Sequence, residues 1–133
     1  DEARMLNEQT SEPPLDSLEP VSSTSEIVAL IEDAKRVFVE ESVNRYVVAL
    51  LRHTRGHERL YLGASPRSGI ALLRVAKARA ISEGREYVLP DDVKAVAEPV
   101  LGHRLILGPE ARAAGLGPAE LIADAVERTP VPV

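Results

Sequence analysis

Apolar residues recur at intervals of three and four along most of this chain, which is the spacing of one face of an α-helix. The most regular stripe consists of Val43, Tyr46, Val47, Leu50 and Leu51. An earlier stripe consists of Ile27, Leu30, Ile31 and Ala34. Each stripe predicts an amphipathic helix that packs one side against a core. Thr24 or Ser25 is the predicted N-cap of the earlier helix.

Three more helices are predicted from their starting residues. One begins at Pro66, ends near Glu83 and is apolar nearly all round, so we expect it to be the central helix. Gly84 follows it, in the usual place of a left-handed cap. Another begins at Pro90 and the last begins at Pro118. The predicted fold is therefore all-α, a small bundle of four to five helices.

Two short segments interrupt the helical pattern. Residues 37–39 are β-branched and aromatic, and residues 105–107 are aliphatic. We predict that these two segments pair as one short two-stranded β ribbon within the helical bundle.

Composition and spacing predict three regions along the chain. Residues 1–10 read as the trailing helix of a preceding domain, which indicates a fragment of a longer protein. Residues 11–23 hold three prolines and four serines and are predicted to form a linker. Residues 24–133 contain the periodic segments and are predicted to be the helical domain.

The 133-residue chain has no cysteine, which excludes disulfide and thiol chemistry and fits a reducing compartment. Neither a signal peptide nor an apolar run long enough to span a membrane is evident, so we expect a cytoplasmic protein without membrane insertion. The net charge of −5 is uneven, because residues 1–36 carry −6 and residues 45–85 carry +7. The basic middle indicates a polyanionic partner, or else ordinary solvated helix faces.

Arg67 is the most informative single residue. Ser65 and Pro66 form a strong helix start, which places Arg67 in the first turn, where the helix dipole disfavours a cation. An anion bound there would explain it, since helix N-termini and arginine both bind phosphate well. The alternative interpretation is a solvated surface arginine that loses about 0.3–1 kcal/mol.

No catalytic or metal motif accompanies this feature. The sequence lacks a phosphate-binding loop and a nucleophile–base–orienter set, so we expect no catalytic residue in this chain. His53 and His57 share a helical spacing, but no cysteine or third histidine is nearby, and no metal site is expected. Asp91 and Asp92 resemble a carboxylate pair, but their place after Pro90 favours a helix-start role.

Several segments, read in order, resemble one known module. They are PLDSLEPV (14–21), YVV (46–48), TR (54–55), LGASPRS (62–68), ALLRVAKA (71–78), GREYVLPDDVK (84–94) and VLGHRL (100–105). Together they resemble the C-terminal lid of MoxR-type AAA+ ATPases, which are relatives of magnesium chelatase ATPase subunits. The resemblance covers the chain from residue 12 onward. Two departures are Leu89 and Gly117, which stand where such lids usually have a capping Thr or Ser, and the first is expected to cost about 1 kcal/mol.

The resemblance implies a function for Arg67. The lid of an AAA+ protein supplies the sensor 2 arginine, which reaches the γ-phosphate of ATP, and Arg67 matches that position. The adjacent residues would shape the nucleotide site; they are Gly63, Ala64, Ser65, Pro66 and Ser68. ATP and Mg²⁺ are expected in the full-length protein, with neither bound to this fragment. Arg67 should therefore be exposed and unpaired here.

The same resemblance implies the partners. They are the protein's own AAA+ core, neighbouring subunits of a hexamer and an unidentified protein client of a chaperone-like ATPase. Two alternative functions are a helical protein-interaction domain that uses the acidic residues 1–36 and a nucleic-acid-binding module that uses the basic middle. The nucleic-acid reading is disfavoured, because the sequence has no set of aromatic residues for base stacking.

Overall fold

The structure is a computed structural model that describes residues 18–132. In this part of the chain six α-helices and one small sheet follow the order α1 Thr24–Arg36, α2 Glu41–Gly56, β1 Leu60–Leu62, α3 Pro66–Ser82, α4 Pro90–Leu101, β2 Ile106–Leu107, α5 Pro109–Ala113 and α6 Pro118–Arg128. A short 3-10 turn, Gly102–Arg104, follows α4. The predicted all-α bundle is confirmed. The helix predicted for residues 1–10, and most of the predicted linker, lie outside the described residues.

Chain contacts divide the protein into two compact units, Asp1–Leu30 and Ile31–Val133. The core lies in the second unit, where α2, α3, α4 and α6 each contribute a fully buried aliphatic side chain, namely Leu50, Leu72, Leu101 and Ile122. Burying one such side chain contributes about 1.5–3 kcal/mol. The predicted stripe of α2 is confirmed, since all five of its residues are buried.

Helix α3 is less enclosed than its composition predicts. It buries one narrow face of small residues and Leu72, whereas Ile70 is 56% and Val75 is 41% exposed. Although its composition is apolar nearly all round, α3 is therefore buried on one face only. The reason is that α3 packs closely on its neighbours through small residues: an added Cβ at Gly69 would lie 2.8 Å from Leu51 Cδ1. Ile70 and Val75 lie outside that contact.

The predicted β ribbon has the wrong partner. Strand β2 pairs antiparallel with β1, through Leu60 with Leu107 and Leu62 with Ile106, and not with residues 37–39. Phe38 instead forms an isolated parallel bridge with Tyr87. The turn at the end of α2 returns the chain beside β2, where the Gly108 N–H donates to the Arg59 carbonyl at 2.8 Å. Strands this short carry no periodic signal that identifies a partner.

The helix ends follow local chemistry. The cap of α1 is Ser23 rather than Thr24 or Ser25: its hydroxyl accepts from Glu26 N at 3.2 Å, and the Glu26 carboxylate accepts from Ser23 N at 2.6 Å. The bond from Ser23 N, and secondly one from the Ser23 hydroxyl, hold the pKa of Glu26 below its ordinary value. Gly84 has φ +74°, so the left-handed cap predicted after α3 is confirmed.

Two further findings concern α1 and α5. No residue of α1 is buried, so its predicted apolar stripe is exposed among the described residues. Helix α5 was not predicted, since five residues are too few to show a 3.6-residue period.

Within residues 18–132, no helix combines the length and the apolar character that crossing a membrane requires.

Candidate functional site

Arg67 lies in the first turn of α3, and its side chain is exposed. Ser65 is the N-cap, with extended backbone angles of φ −80° and ψ 165°, and its hydroxyl accepts weakly from Ser68 N at 3.4 Å. A turn bond from Ser68 N to the Ser65 carbonyl, 2.9 Å long, reinforces this start. Pro66 occupies the first helical position, as the sequence predicts.

The segment before α3 is held by the last turn of α2. The Thr54 hydroxyl donates to the Leu51 carbonyl at 2.8 Å and accepts from Ala64 N at 3.0 Å. The Arg55 guanidinium donates to the Ala64 carbonyl at 3.1 Å. Both backbone polar groups of the buried Ala64 are therefore satisfied by side chains of α2. Three bonds thus fix the position from which α3 begins.

Gly63 makes this arrangement sterically possible. A Cβ at this position would lie 2.5 Å from the Thr54 carbonyl oxygen and 2.6 Å from Arg55 Cα. Both atoms belong to the backbone of α2 and cannot move aside easily. The loop and the helix end therefore touch backbone to backbone, as only glycine allows.

Arg67 opens onto a cavity of about 510 Å³ with a mixed lining, which we call the arginine pocket. Its lining residues are Arg67, Ile70, Ala71, Arg74, Val75 and Arg104. No ion pair within 4.0 Å involves any of its three arginines in the part of the chain that the structure describes. One internal bond is present, from Arg104 Nε to His103 Nε2 at 3.1 Å.

The residues that the sequence places around Arg67 separate into two groups. Ser65 and Pro66 are exposed beside it, so they can face a ligand. Ala64 and Ser68 are 0% and 2% exposed, and Gly63 is half-buried against α2, so these three position the helix from within.

Sequence reasoning missed four residues of this region. Thr54 and Arg55 belonged to a segment that carried the resemblance, but only their bonds to Ala64 show what they do. Arg74 had a usable signal, because a spacing of seven residues places it on the same helical face as Arg67. Arg104 also belonged to a segment that carried the resemblance, but nothing in the sequence placed it near Arg67, since it reaches the pocket from the turn after α4.

The two histidines and the aspartate pair have structural partners. His53 Nδ1 lies 2.7 Å from the Thr129 hydroxyl, and His57 Nε2 lies 3.3 Å from Asp124 Oδ2, so each links α2 or the turn after it to the C-terminal part of the domain. Within residues 18–132, no group of three or more acidic or histidine side chains is placed to hold a metal ion. Asp92 accepts from Leu89 N at 2.8 Å, which confirms the predicted helix-start role.

The helical bundle agrees with what sequence comparison finds. Residues 52–126 match the AAA lid domain family. The chain belongs to this family, and its relatives place it among the lids of MoxR-type AAA+ ATPases.

Three curated proteins are similar to this chain, and two of them are named MoxR proteins. The Chaperone MoxR1 of Mycobacterium tuberculosis is 35% identical over 118 residues, which cover 82% of this chain and 31% of that protein. The Protein MoxR of Paracoccus denitrificans is 51% identical over 72 residues, covering 53% of this chain and 21% of its own. The uncharacterized protein YeaC of Bacillus subtilis is 34% identical over all 133 residues, which cover 42% of YeaC.

A solved structure shows the same fold. The crystal structure of a “putative ATPase” from Cytophaga hutchinsonii superimposes with a TM-score of 0.88 at 28% identity. The match covers 99% of this chain and 43% of that one. The chain thus spans less than half the length of each of these relatives.

Proposed function

We propose that this chain is the nucleotide-sensing lid of a MoxR-type ATPase, and that Arg67 is its sensor 2 arginine. In this proposal Arg67 binds the γ-phosphate of ATP held by the AAA+ core of the full-length protein. The observation that carries it is the combination of a rigidly anchored helix start with an exposed guanidinium that makes no described ion pair.

The chemistry of the α3 start suits this function. Unpaired N–H groups and the positive end of the helix dipole attract an anion, and a guanidinium offers forked hydrogen bonds to phosphate oxygens. Hydrolysis removes the γ-phosphate and, with it, the contact to Arg67. A contact present in one nucleotide state only is what shifts a population between two conformations.

The anchoring of Ala64 determines how such a contact would be transmitted. Thr54 and Arg55 hold the start of α3 to α2. A displacement of Arg67 would therefore move the packed helices and not a flexible loop alone. We propose that the lid, residues 24–133, moves as one body about residues 11–23, and that residues 1–10 belong to the core. In the same proposal the full-length protein forms a hexamer and binds Mg²⁺–ATP between lid and core. It acts on a protein client.

The test is Arg67→Ala in the full-length ATPase, with Arg112→Ala as the matched control. Both arginines are exposed and lack an ion pair in the described part of the chain, but Arg112 lies on α5, outside the arginine pocket. We expect Arg67→Ala to slow ATP hydrolysis by about 10- to 100-fold, the loss of one charge-assisted contact. Arg112→Ala should hydrolyse ATP normally.

Arg67→Lys separates charge from geometry. Lysine keeps the charge but loses the fork, so we expect an intermediate rate. Unchanged hydrolysis and unchanged nucleotide-dependent assembly in Arg67→Ala would refute the sensor 2 assignment.

A further inference from the structure

The arginine pocket holds more positive charge than one sensor residue requires. We propose that Arg74 and Arg104 act together with Arg67 to bind a single polyphosphate, the triphosphate of the nucleotide, so that the lid contacts it through three guanidiniums. This inference rests on the proposed function, which places Arg67 at the terminal phosphate, and adds two residues with no assigned role.

The three arginines reach the pocket from two different elements. Arg67 and Arg74 share one face of α3 and are separated by about 10 Å of helix rise, which is two turns. Arg104 comes from the 3-10 turn after α4. Its neighbours Leu101 and Leu105 are 0% and 8% exposed, so packing on both sides fixes where this turn lies.

The charges around the pocket are unbalanced. Elsewhere in the described residues, several arginines pair with an acid four residues away in sequence: Arg45 lies 3.6 Å from Glu41, Arg79 lies 2.8 Å from Glu83 and Arg128 lies 2.9 Å from Asp124. No acidic residue lines the arginine pocket. Three like charges in one cavity repel one another, and a bound anion offsets this repulsion.

The apolar part of the lining strengthens this effect. Ile70 and Val75 line the pocket with the arginines and present low-dielectric walls. A cleft of one charge sign with such walls concentrates the field on its counter-ion. A cavity of about 510 Å³ has the size of a small-molecule site. An elongated anion with several phosphoryl groups can contact arginines two turns apart while each side chain stays extended. The combination therefore favours a polyphosphate.

The experiment uses the full-length ATPase and compares Arg74→Ala and Arg104→Ala with Arg112→Ala. Dissociation constants are measured for ATP, for AMP and for inorganic tripolyphosphate as a competitor. We expect each pocket variant to bind ATP and tripolyphosphate about 10-fold more weakly, with AMP binding unchanged. The salt dependence of ATP binding should also become shallower, since fewer ionic contacts remain.

Arg104→Lys distinguishes the loss of a phosphate contact from a purely structural effect. It keeps the charge and the aliphatic stem but loses the forked hydrogen bonds, so its affinity for ATP should lie between those of wild type and Arg104→Ala if Arg104 contacts phosphate. Equal losses for ATP and AMP would overturn the inference, because they would indicate a disturbed fold.

The remaining outcomes separate this inference from the proposed function. If Arg67→Ala slows hydrolysis but the Arg74 and Arg104 variants match the control, the pocket inference is wrong and the sensor assignment stands. If the pocket variants lose subunit assembly while their ATP affinity is unchanged, the pocket binds protein and the inference is wrong. If Arg67→Ala hydrolyses ATP normally while Arg74→Ala and Arg104→Ala bind ATP more weakly, the sensor assignment fails and Arg74 and Arg104 remain anion ligands.

Discussion

At the scale of single residues, two uncharged groups determine where the candidate sensor arginine lies. The Thr54 hydroxyl bridges the Leu51 carbonyl and the Ala64 N–H, and Gly63 leaves room for the backbone of α2. Neither residue faces the arginine pocket. Their effect on Arg67 is therefore exerted through the start of α3.

Gly63→Ala tests this steric requirement, with Gly56→Ala as its control. An added methyl at Gly63 meets backbone atoms 2.5–2.6 Å away, whereas the same methyl at Gly56 meets nothing within 4 Å. We expect Gly63→Ala to lower the free energy of unfolding by about 2 kcal/mol or more, since backbone must shift to accept it. Gly56→Ala should change it by less than about 1 kcal/mol, and in the stabilising direction.

Urea denaturation of the two variants measures both values. Equal stabilities would mean that the loop before α3 can move away from α2 without cost. The start of α3 would then not be held rigidly against α2.

At the scale of elements, the start of α4 shows how a missing cap is compensated. Leu89 occupies the N-cap and makes no side-chain cap bond, as its apolar side chain requires. Asp92 instead accepts from Leu89 N at 2.8 Å and receives two bonds from Arg85, at 2.6 and 2.7 Å. Asp92 is 2% exposed, so this paired carboxylate is part of the packed domain.

This cluster predicts how stability depends on pH. Bonds from Arg85, and secondly the Leu89 N–H, hold the pKa of Asp92 below its ordinary value of 3.8, despite the opposing effect of burial. Hydrogen bonds to Asp92, and secondly to Glu83, raise the pKa of Arg85, which stays charged throughout. The stabilisation is therefore complete above about pH 4 and declines as the pH falls through the lowered pKa of the folded state.

Asp92→Asn isolates this contribution. It removes the charge but keeps the shape, and leaves Arg85 without its main partner. We expect a loss of about 2–3 kcal/mol at pH 7 and a smaller difference from wild type near pH 2. Chemical denaturation at a series of pH values between 7 and 2 checks both statements; a pH-independent difference would contradict them.

At the scale of the whole molecule, the buried apolar residues are confined to one unit. Among the described residues they run from Val37 to Ala125, and α1 contributes none. The second unit, Ile31–Val133, therefore contains the core of the described part. Helix α6 completes this core through Leu121, Ile122 and Ala125.

Two truncations test this division. A chain without residues 1–30 keeps every buried apolar residue of the described part. It should therefore unfold cooperatively, with a free energy of unfolding within about 1 kcal/mol of the whole chain. A chain without residues 118–133 loses the buried face of α6 and should not unfold cooperatively. Thermal unfolding followed by circular dichroism distinguishes them, and a non-cooperative melt of the first chain would contradict the division.

Local chemistry made most of the helices predictable. Pro66, Pro90 and Pro118 mark helix starts because proline costs nothing at the first helical position, and all three are confirmed. Gly84 marks the end of α3 because glycine accepts a positive φ. These effects act within a few residues, so the order of residues alone is sufficient to reveal them.

Contacts distant in sequence were not predictable in the same way. Three features depend on how the helices pack. They are the partner of β2, the burial of α3 on one side and the presence of Arg104 and Arg67 in one pocket. Each joins residues that no period or spacing relates.

The sequence by itself determined the helical class of this protein, the resemblance to the AAA+ lid and the position of Arg67 at the start of a helix. The tertiary structure alone decided how that arginine is held and which charges surround it. Thr54, Arg55 and Gly63 secure the helix start, and Arg74 and Arg104 complete the pocket. The physical reason is that helix boundaries depend on neighbouring backbone groups, whereas the charge and shape of a pocket depend on which surfaces packing brings together.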